Sequence, residues 1–265
     1  MEIIEILINA SLVVYDTVNK IIGTDEASIK YGKGAGGDVS RKIDIVAEEA
    51  VINYFQKIGF ACTILGEECG RIKIFEKSKG MVIMDAMDGT ANAIRGFPFF
   101  CCSLAYSNGN EFEDITDCVI IDLVSKDIYR ATKGRGAYYN NQKITIRKTT
   151  NKIISINTSG SIELLIKLLS IFKTRNHIRH LGANALEMAF FSRGLIDIIL
   201  GLRPKVRIQD IAAGYLLIKE AGGVILDCQL KPLVGNFSNR KLSFIAINKN
   251  MIKYISKRIN ALGGI

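Results

Sequence analysis

Histidine is nearly absent from this chain: among its 265 residues only His177 and His180 occur. The six cysteines (Cys62, Cys69, Cys101, Cys102, Cys118 and Cys228) never fall in a C-x-x-C pair. The shortage of histidine argues against a zinc site built from imidazole and thiolate. In a chain large enough to fold without disulfides, the cysteines read as reduced, mostly buried small hydrophobes. No run of about 18 uncharged apolar residues is present, so no helix of ordinary spanning length is expected. A basic leader is also missing. Met1 to Ile22, with Glu2, Glu5 and Asp16 spaced among aliphatics, reads as an amphipathic helix rather than a signal peptide, and a cytoplasmic location is expected. The glycine-dense stretch Tyr31 to Asp38, which holds Lys33, lacks the Gly-Lys-Ser/Thr closure of a Walker loop. Zinc fingers, RNP patterns and basic heptads are missing too.

What is present is a 48% hydrophobic composition at a length where a single core begins to divide. The expected organisation is one compact unit with two subdomains, residues 1–150 and 151–265. The net charge of +9 attracts anions, nucleic acid or sugar phosphates. The lysines are scattered rather than blocked, so nucleic acid is not the expected partner, and the basic balance by itself mostly marks solvated faces. Any metal should be held by carboxylates, which points to a hard cation such as magnesium or manganese.

The stretch Met81 to Phe100 (MVIMDAMDGTANAIRGFPFF) concentrates the chemistry. Met81 to Met84 reads as a strand covered on both faces, with Asp85 at its carboxyl end, where ligand sites commonly lie. Asp85 and Asp88 repel each other unless a cation lies between them. Gly89 and Thr90 then open a helix whose N–H groups can receive an anion. Taken locally, the same pair also fits a turn and an N-cap before a short helix at Ala91 to Ile94. Four more acids stand at element ends. Asp44 reads as the N-cap of a helix over Ile45 to Lys57. Glu67 and Glu68 follow a short strand, Cys62 to Leu65. Asp210 opens a helix over Asp210 to Gly222, and capping alone would account for it.

Strands at Phe99 to Tyr106, Ile115 to Leu123 and Asp127 to Thr132 alternate with turn signals and are expected to be antiparallel. From Lys152 onward strands alternate with helices: strands at Ile153 to Asn157, His177 to Leu181, Leu195 to Leu200, Val224 to Leu226 and Phe244 to Asn248, and helices at Ser161 to Phe172 and Ala185 to Arg193. This is the pattern of layered α/β structure.

The central string resembles the Asp-Pro-Ile-Asp-Gly-Thr-x-Asn-Phe...Gly-x-Pro-Phe signature of the inositol monophosphatase superfamily, which includes archaeal-type fructose-1,6-bisphosphatases. Asp85, Asp88, Gly89, Thr90, Asn92, Gly96, Pro98 and Phe99 match; Ala86, Met87 and Ala93 depart from it. Gly66-Glu67-Glu68 is similar to the family's Gly-Glu-Glu, Gly134 to Asn141 to its hairpin, and Asp210 to Gly223 to its Asp-x-Ala-Ala-Gly...Glu-Ala-Gly-Gly element, with Gln209 in place of the usual tryptophan. The resemblance implies a sugar-phosphatase αβαβα sandwich and a magnesium-dependent phosphatase, a homodimer. Glu67, Asp85, the Met87 carbonyl, Asp88 and Asp210 would hold two or three metals, Mn2+ substituting for Mg2+. Asp44 and Thr90, with Glu67 beside them, would orient and deprotonate water. Asp88, Gly89, Thr90 and Ala91 would cradle the phosphate. Lys33 would sit on the family's mobile loop, and Glu68 would be a bystander.

Members specialised for inositol carry a glutamate seven residues before the last aspartate; here that position is Arg203. A guanidinium suits a second phosphate, with Lys205 or Arg207 nearby and Arg179 and Asn184 facing the same pocket. The expected activity is therefore the gluconeogenic hydrolysis of fructose 1,6-bisphosphate, with inositol 1-phosphate as a side substrate. The alternatives are a dedicated inositol monophosphatase, a phosphatase of 3'-phosphoadenosine or NADP, or a non-catalytic nucleic-acid or transcription-complex binder on the same fold.

Overall fold

The computed structural model describes residues 1–147, 152–157, 162–172, 176–237 and 242–260. The chain opens with α1 (Ile3–Val18), whose residues Leu7, Ala10, Val14 and Val18, spaced three or four apart, are fully buried. A small hairpin, β1 (Lys30–Lys33) and β2 (Val39–Arg41), leads into α2 (Lys42–Lys57). Then come β3 (Thr63–Gly66), β4 (Arg71–Lys73), β5 (Met81–Asp88), α3 (Thr90–Arg95), β6 (Cys101–Ser107), β7 (Ile115–Asp122), β8 (Ile128–Thr132), β9 (Gly136–Tyr139) and β10 (Gln142–Ile144). The second half runs β11 (Lys152–Asn157), α4 (Ile162–Ile171), β12 (Asn176–Arg179), α5 (Asn184–Ser192), β13 (Ile198–Val206), α6 (Ile208–Glu220), β14 (Gly223–Leu226), β15 (Leu242–Asn248) and α7 (Ile252–Asn260). Serine 161, at the expected start of α4, lies outside the described residues.

Eight strands form one sheet in the order β10-β9-β8-β7-β6-β5-β3-β4, and five form a second in the order β12-β11-β13-β15-β14. In the first sheet β3 pairs with β5 in parallel, and the antiparallel strands expected at β6 to β8 form part of a meander that runs from β5 to β10. Side-chain alternation sorts its strands onto two cores. Val82, Met84, Leu104, Val119 and Ile121 face α1 and α2, whereas Met81, Ile83, Ala105, Cys118 and Ile120 face α5 and α6. The second sheet repeats this: Ile199, Phe244 and Ala246 face α5 and α6, while Ile154, Leu200, Ile245 and Ile247 face α4 and α7. The layers are thus helix, sheet, helix, sheet, helix, as the sequence reading expected. Each fully buried aliphatic contributes roughly 1.5–3 kcal/mol.

Three local details differ from expectation. β5 does not end at Met84; it continues through Asp88, so Asp85 and Asp88 lie on a strand rather than a turn. The N-cap of α3 is Gly89, in the left-handed region at φ 95°, and Asp88 does not cap that helix. Asp44 and Asp210 are not N-caps either. They occupy the third position of α2 and α6, where each carboxylate accepts the backbone N–H of the capping arginine, Arg41 or Arg207, at 2.8 Å.

Candidate active site

The register of β5 on β6 explains how two acids three residues apart come to share a face. Asp85 pairs with Ser103 and Asp88 with Cys101, so three steps on β5 oppose two on β6. That extra residue is a bulge. In an unbroken strand the two carboxylates would point to opposite faces. The bulge instead turns both toward α5 and α6, while Ala86 and Met87 pack into the core on the α1/α2 side. The N–H of Ala185, in the first turn of α5, donates to Asp88 Oδ2 at 2.6 Å, and the Cys101 thiol lies 3.8 Å from the same oxygen.

Asp210 enters from the first turn of α6 and Glu67 from the residue after β3. One ligand oxygen each of Glu67, Asp85 and Asp210 lie within 4.8 Å of one another. Burial is the main force holding Asp85 and Asp88 well above the usual carboxylate range, and neighbouring carboxylates raise them further. Burial, then Asp210, pushes Glu67 up to about 8. Three oxygens that repel one another in a half-closed cleft, with no imidazole or thiolate ligand among them, fit a hard divalent cation.

Beside this cluster, the Thr90 hydroxyl donates to Asp44 Oδ1 at 2.7 Å and approaches the Met87 carbonyl oxygen at 3.1 Å. Asp44 is 7% exposed, and burial is the first cause of its raised pKa. Asp44, Glu67, Asp85 and Met87 line one small cleft together with Glu48, Glu68 and Ala86. The candidate residues from α2, β3, β5 and α6 are therefore brought together, and Gly89 and Thr90 stand at the same corner.

The substrate-side candidates fare differently. Asn184 opens α5, next to the N–H that holds Asp88, and its Oδ1 accepts from Asn157 at 3.0 Å. Arg179 is exposed on β12 with its guanidinium on the Ile178 carbonyl, and among the described residues no hydrogen bond or ion pair ties it to the acidic cluster. The side chains of Arg203 and Lys205 lie outside the described residues; their backbone belongs to β13. Arg207 is not a free phosphate clamp. Its guanidinium is engaged with Glu67 and Asp38. Lys33 is exposed on β1. Glu68 lines the same cleft, where it accepts the Ser40 hydroxyl, and it is not one of the three converging ligands.

One contributor, Glu48, goes unread in the sequence, and another, Gln209, reads there only as a departure from the family's tryptophan. Glu48, 4% exposed and one helical turn after Asp44, accepts the N–H groups of Glu68 at 2.9 Å and Cys69 at 2.8 Å, fixing the loop that presents Glu67. The i, i+4 spacing of Asp44 and Glu48 was the available signal. Gln209, where the family has tryptophan, donates to the Gly66 carbonyl at 3.1 Å and ties α6 to the end of β3.

Comparison with known proteins gives this geometry a family context. A family model described as the inositol monophosphatase family matches residues 1–261. A fructose-1,6-bisphosphatase/inositol-1-monophosphatase of Thermococcus kodakarensis is 30% identical over 225 residues, covering 84% of this chain and 83% of that protein. A bifunctional NADP phosphatase/NAD kinase of Methanococcus maripaludis is 29% identical over 280 residues, covering 96% of this chain; the chain spans 48% of that protein. A crystal structure described as an inositol monophosphatase–fructose 1,6-bisphosphatase superposes with a TM-score of 0.83 at 29% identity, covering 99% of this chain and 100% of that one.

Proposed function

The chain belongs to the inositol monophosphatase family, and on that premise we propose that it is a magnesium-dependent phosphatase of fructose 1,6-bisphosphate that also accepts inositol 1-phosphate. Phosphoric monoester hydrolysis is the activity class its relatives carry. The observation that carries the reading is the convergence of Glu67, Asp85 and Asp210 beside the Thr90–Asp44 pair. Glu67, Asp85, Asp88, Asp210 and the Met87 carbonyl are the groups that would hold metal. When bound, the divalent metal neutralises charge on the transferring phosphoryl group and lowers the pKa of water.

The chain's own residues do the rest. Thr90 has its proton aimed at Asp44 Oδ1, so a water hydrogen-bonded to the Thr90 oxygen is placed for proton transfer through the hydroxyl to the carboxylate. Burial makes Asp44 a stronger base than an exposed aspartate. The N–H groups of Gly89, Thr90 and Ala91 at the start of α3 offer donors for phosphate oxygens. Asn92 braces that turn by donating to the carbonyls of Phe99 and Leu181, both at 2.8 Å, which joins the Gly89 corner to the segment entering α5.

The bisphosphate preference rests on Arg203 standing where inositol-specialised relatives carry glutamate. The relative from Methanococcus maripaludis, similar over nearly the whole chain, supports a second reading in which the phosphate removed is that of NADP. A purely binding protein would have no physical reason to bury Asp85 and Asp88 among further carboxylates. The test is phosphate release, at fixed magnesium, from fructose 1,6-bisphosphate, inositol 1-phosphate and NADP. The expected order puts the bisphosphate first; a preference for NADP would replace the first reading with the second.

A further inference from the structure

Arg207 is the cation that the acidic cluster already contains. Its side chain is only 15% exposed and reaches from the N-cap of α6 to Glu67. One guanidinium nitrogen pairs with Glu67 Oε1. The other pairs with Asp38 and donates to the Gly36 carbonyl at 3.3 Å. Nε is buried without a hydrogen-bond partner among the described residues, and the backbone N–H serves Asp210 at 2.8 Å. Arg207 therefore touches two of the three converging carboxylates, Glu67 through its side chain and Asp210 through its backbone.

The glycine-dense loop between β1 and β2 is docked by the same residue. The Gly36 N–H donates to the Glu67 carbonyl at 2.8 Å and the Ala35 N–H to the Glu68 carbonyl at 3.0 Å. A Cβ on Gly36 would stand 3.0 Å from the guanidinium carbon, so the absence of a side chain there lets the guanidinium lie against the loop. Loop, guanidinium and Glu67 form one stack.

We propose that Arg207 is a built-in counter-cation that straps the Gly34–Asp38 loop to Glu67 and competes with divalent metal for that carboxylate. The inference rests on the metal-dependent reading above. A divalent ion shared by Glu67, Asp85 and Asp210 and a guanidinium held on Glu67 repel each other at short range. Metal entry then weakens the Arg207–Glu67 pair and loosens the loop, so occupancy of the metal site and docking of the loop are opposed.

The test is Mn2+ binding by calorimetry in wild type, Arg207→Gln and Asp38→Asn, with hydrogen exchange at the Ala35 and Gly36 amides. Removing a full charge a few ångströms from a divalent site should tighten Mn2+ binding by about tenfold at low salt, and by less as salt screens it. In wild type, Mn2+ should accelerate exchange at the Ala35 and Gly36 amides. In Arg207→Gln exchange there should already be fast without metal. Asp38→Asn, an exposed change that leaves the Glu67 pair in place, should speed that exchange while moving Mn2+ affinity less than threefold. Unchanged or weaker Mn2+ binding by folded Arg207→Gln would overturn the proposal, and weaker binding would make Arg207 a positioning residue for Glu67. Metal that slows loop exchange in wild type would overturn it too. Absence of any Mn2+ binding by wild type would instead sink the metal-dependent reading and this inference with it.

Discussion

Raising the pH of the metal-free protein from about 5 to about 8 should lower its melting temperature, and divalent metal should reverse the loss. The perturbation acts on Glu67, which burial and then Asp210 push from an ordinary value of 4.5 up to about 8. A carboxyl whose folded pKa is raised binds more protons folded than unfolded between those two values. Stability therefore falls as pH rises through that window, and the protein is best off below about 4.5 as far as this group is concerned. At about 1.4 kcal/mol per tenfold, the span amounts to about 4 kcal/mol at pH 8. For a chain of this size that is a fall of about 10 °C. Asp44, Asp85 and Asp88 are raised as well and act in the same direction. Because Asp210 is the first charge raising Glu67, Asp210→Asn should flatten the slope while keeping an oxygen for the Arg207 N–H. The assay is thermal unfolding in chelator across this pH range, repeated with excess Mg2+ or Mn2+. Calorimetry in buffers of different ionisation enthalpy should also show proton release on metal binding near pH 7. A melting temperature that is flat or rises with pH in chelator would refute the reasoning.

Further outcomes follow from the same geometry. Asp85→Asn should cost orders of magnitude in turnover while Glu68→Gln changes little, because the Glu68 carboxylate is engaged with Ser40 and is not one of the three converging ligands; equal losses in two folded variants would reverse the ligand assignment. Thr90→Ala should lower kcat by about a hundredfold or more with little change in KM, and Thr90→Ser should recover most of it, since only the hydroxyl links water to Asp44; a loss confined to KM would show a binding role instead. Arg203→Glu should reduce kcat/KM for fructose 1,6-bisphosphate by about ten- to a hundredfold, the value of one charge-assisted hydrogen bond, and spare inositol 1-phosphate. Equal losses on both substrates would remove the basis for the bisphosphate preference.

The layered architecture was legible because β6 to β8 are mostly apolar runs separated by turn signals such as Asn108-Gly109, and α1 carries apolar residues three to four apart. The acids of the site were legible as types and spacings, but not as geometry. Asp85 and Asp88 looked like a turn because an unbroken strand would separate them, and the bulge that reunites them is written in the pairing with β6, a non-local fact. Asp44 and Asp210 looked like N-caps because an aspartate before a helical run usually is one. The arginines that precede them extend each helix by a turn's fraction and leave the acids at the third position. The β1–β2 hairpin was hidden inside a glycine-rich run whose residues are nearly all exposed, so no burial pattern marked it. The engagement of Arg207 with Glu67 spans 140 residues and has no local signature at all.

The most direct test of the central claim is phosphate release from fructose 1,6-bisphosphate by the full chain, measured in excess chelator and again after magnesium is restored. Activity abolished by chelator and recovered with Mg2+, together with its loss in Asp85→Asn, is the predicted result. Full hydrolysis in chelator, or none from any phosphomonoester with magnesium present, would contradict the assignment of Glu67, Asp85 and Asp210 as a metal-holding catalytic centre.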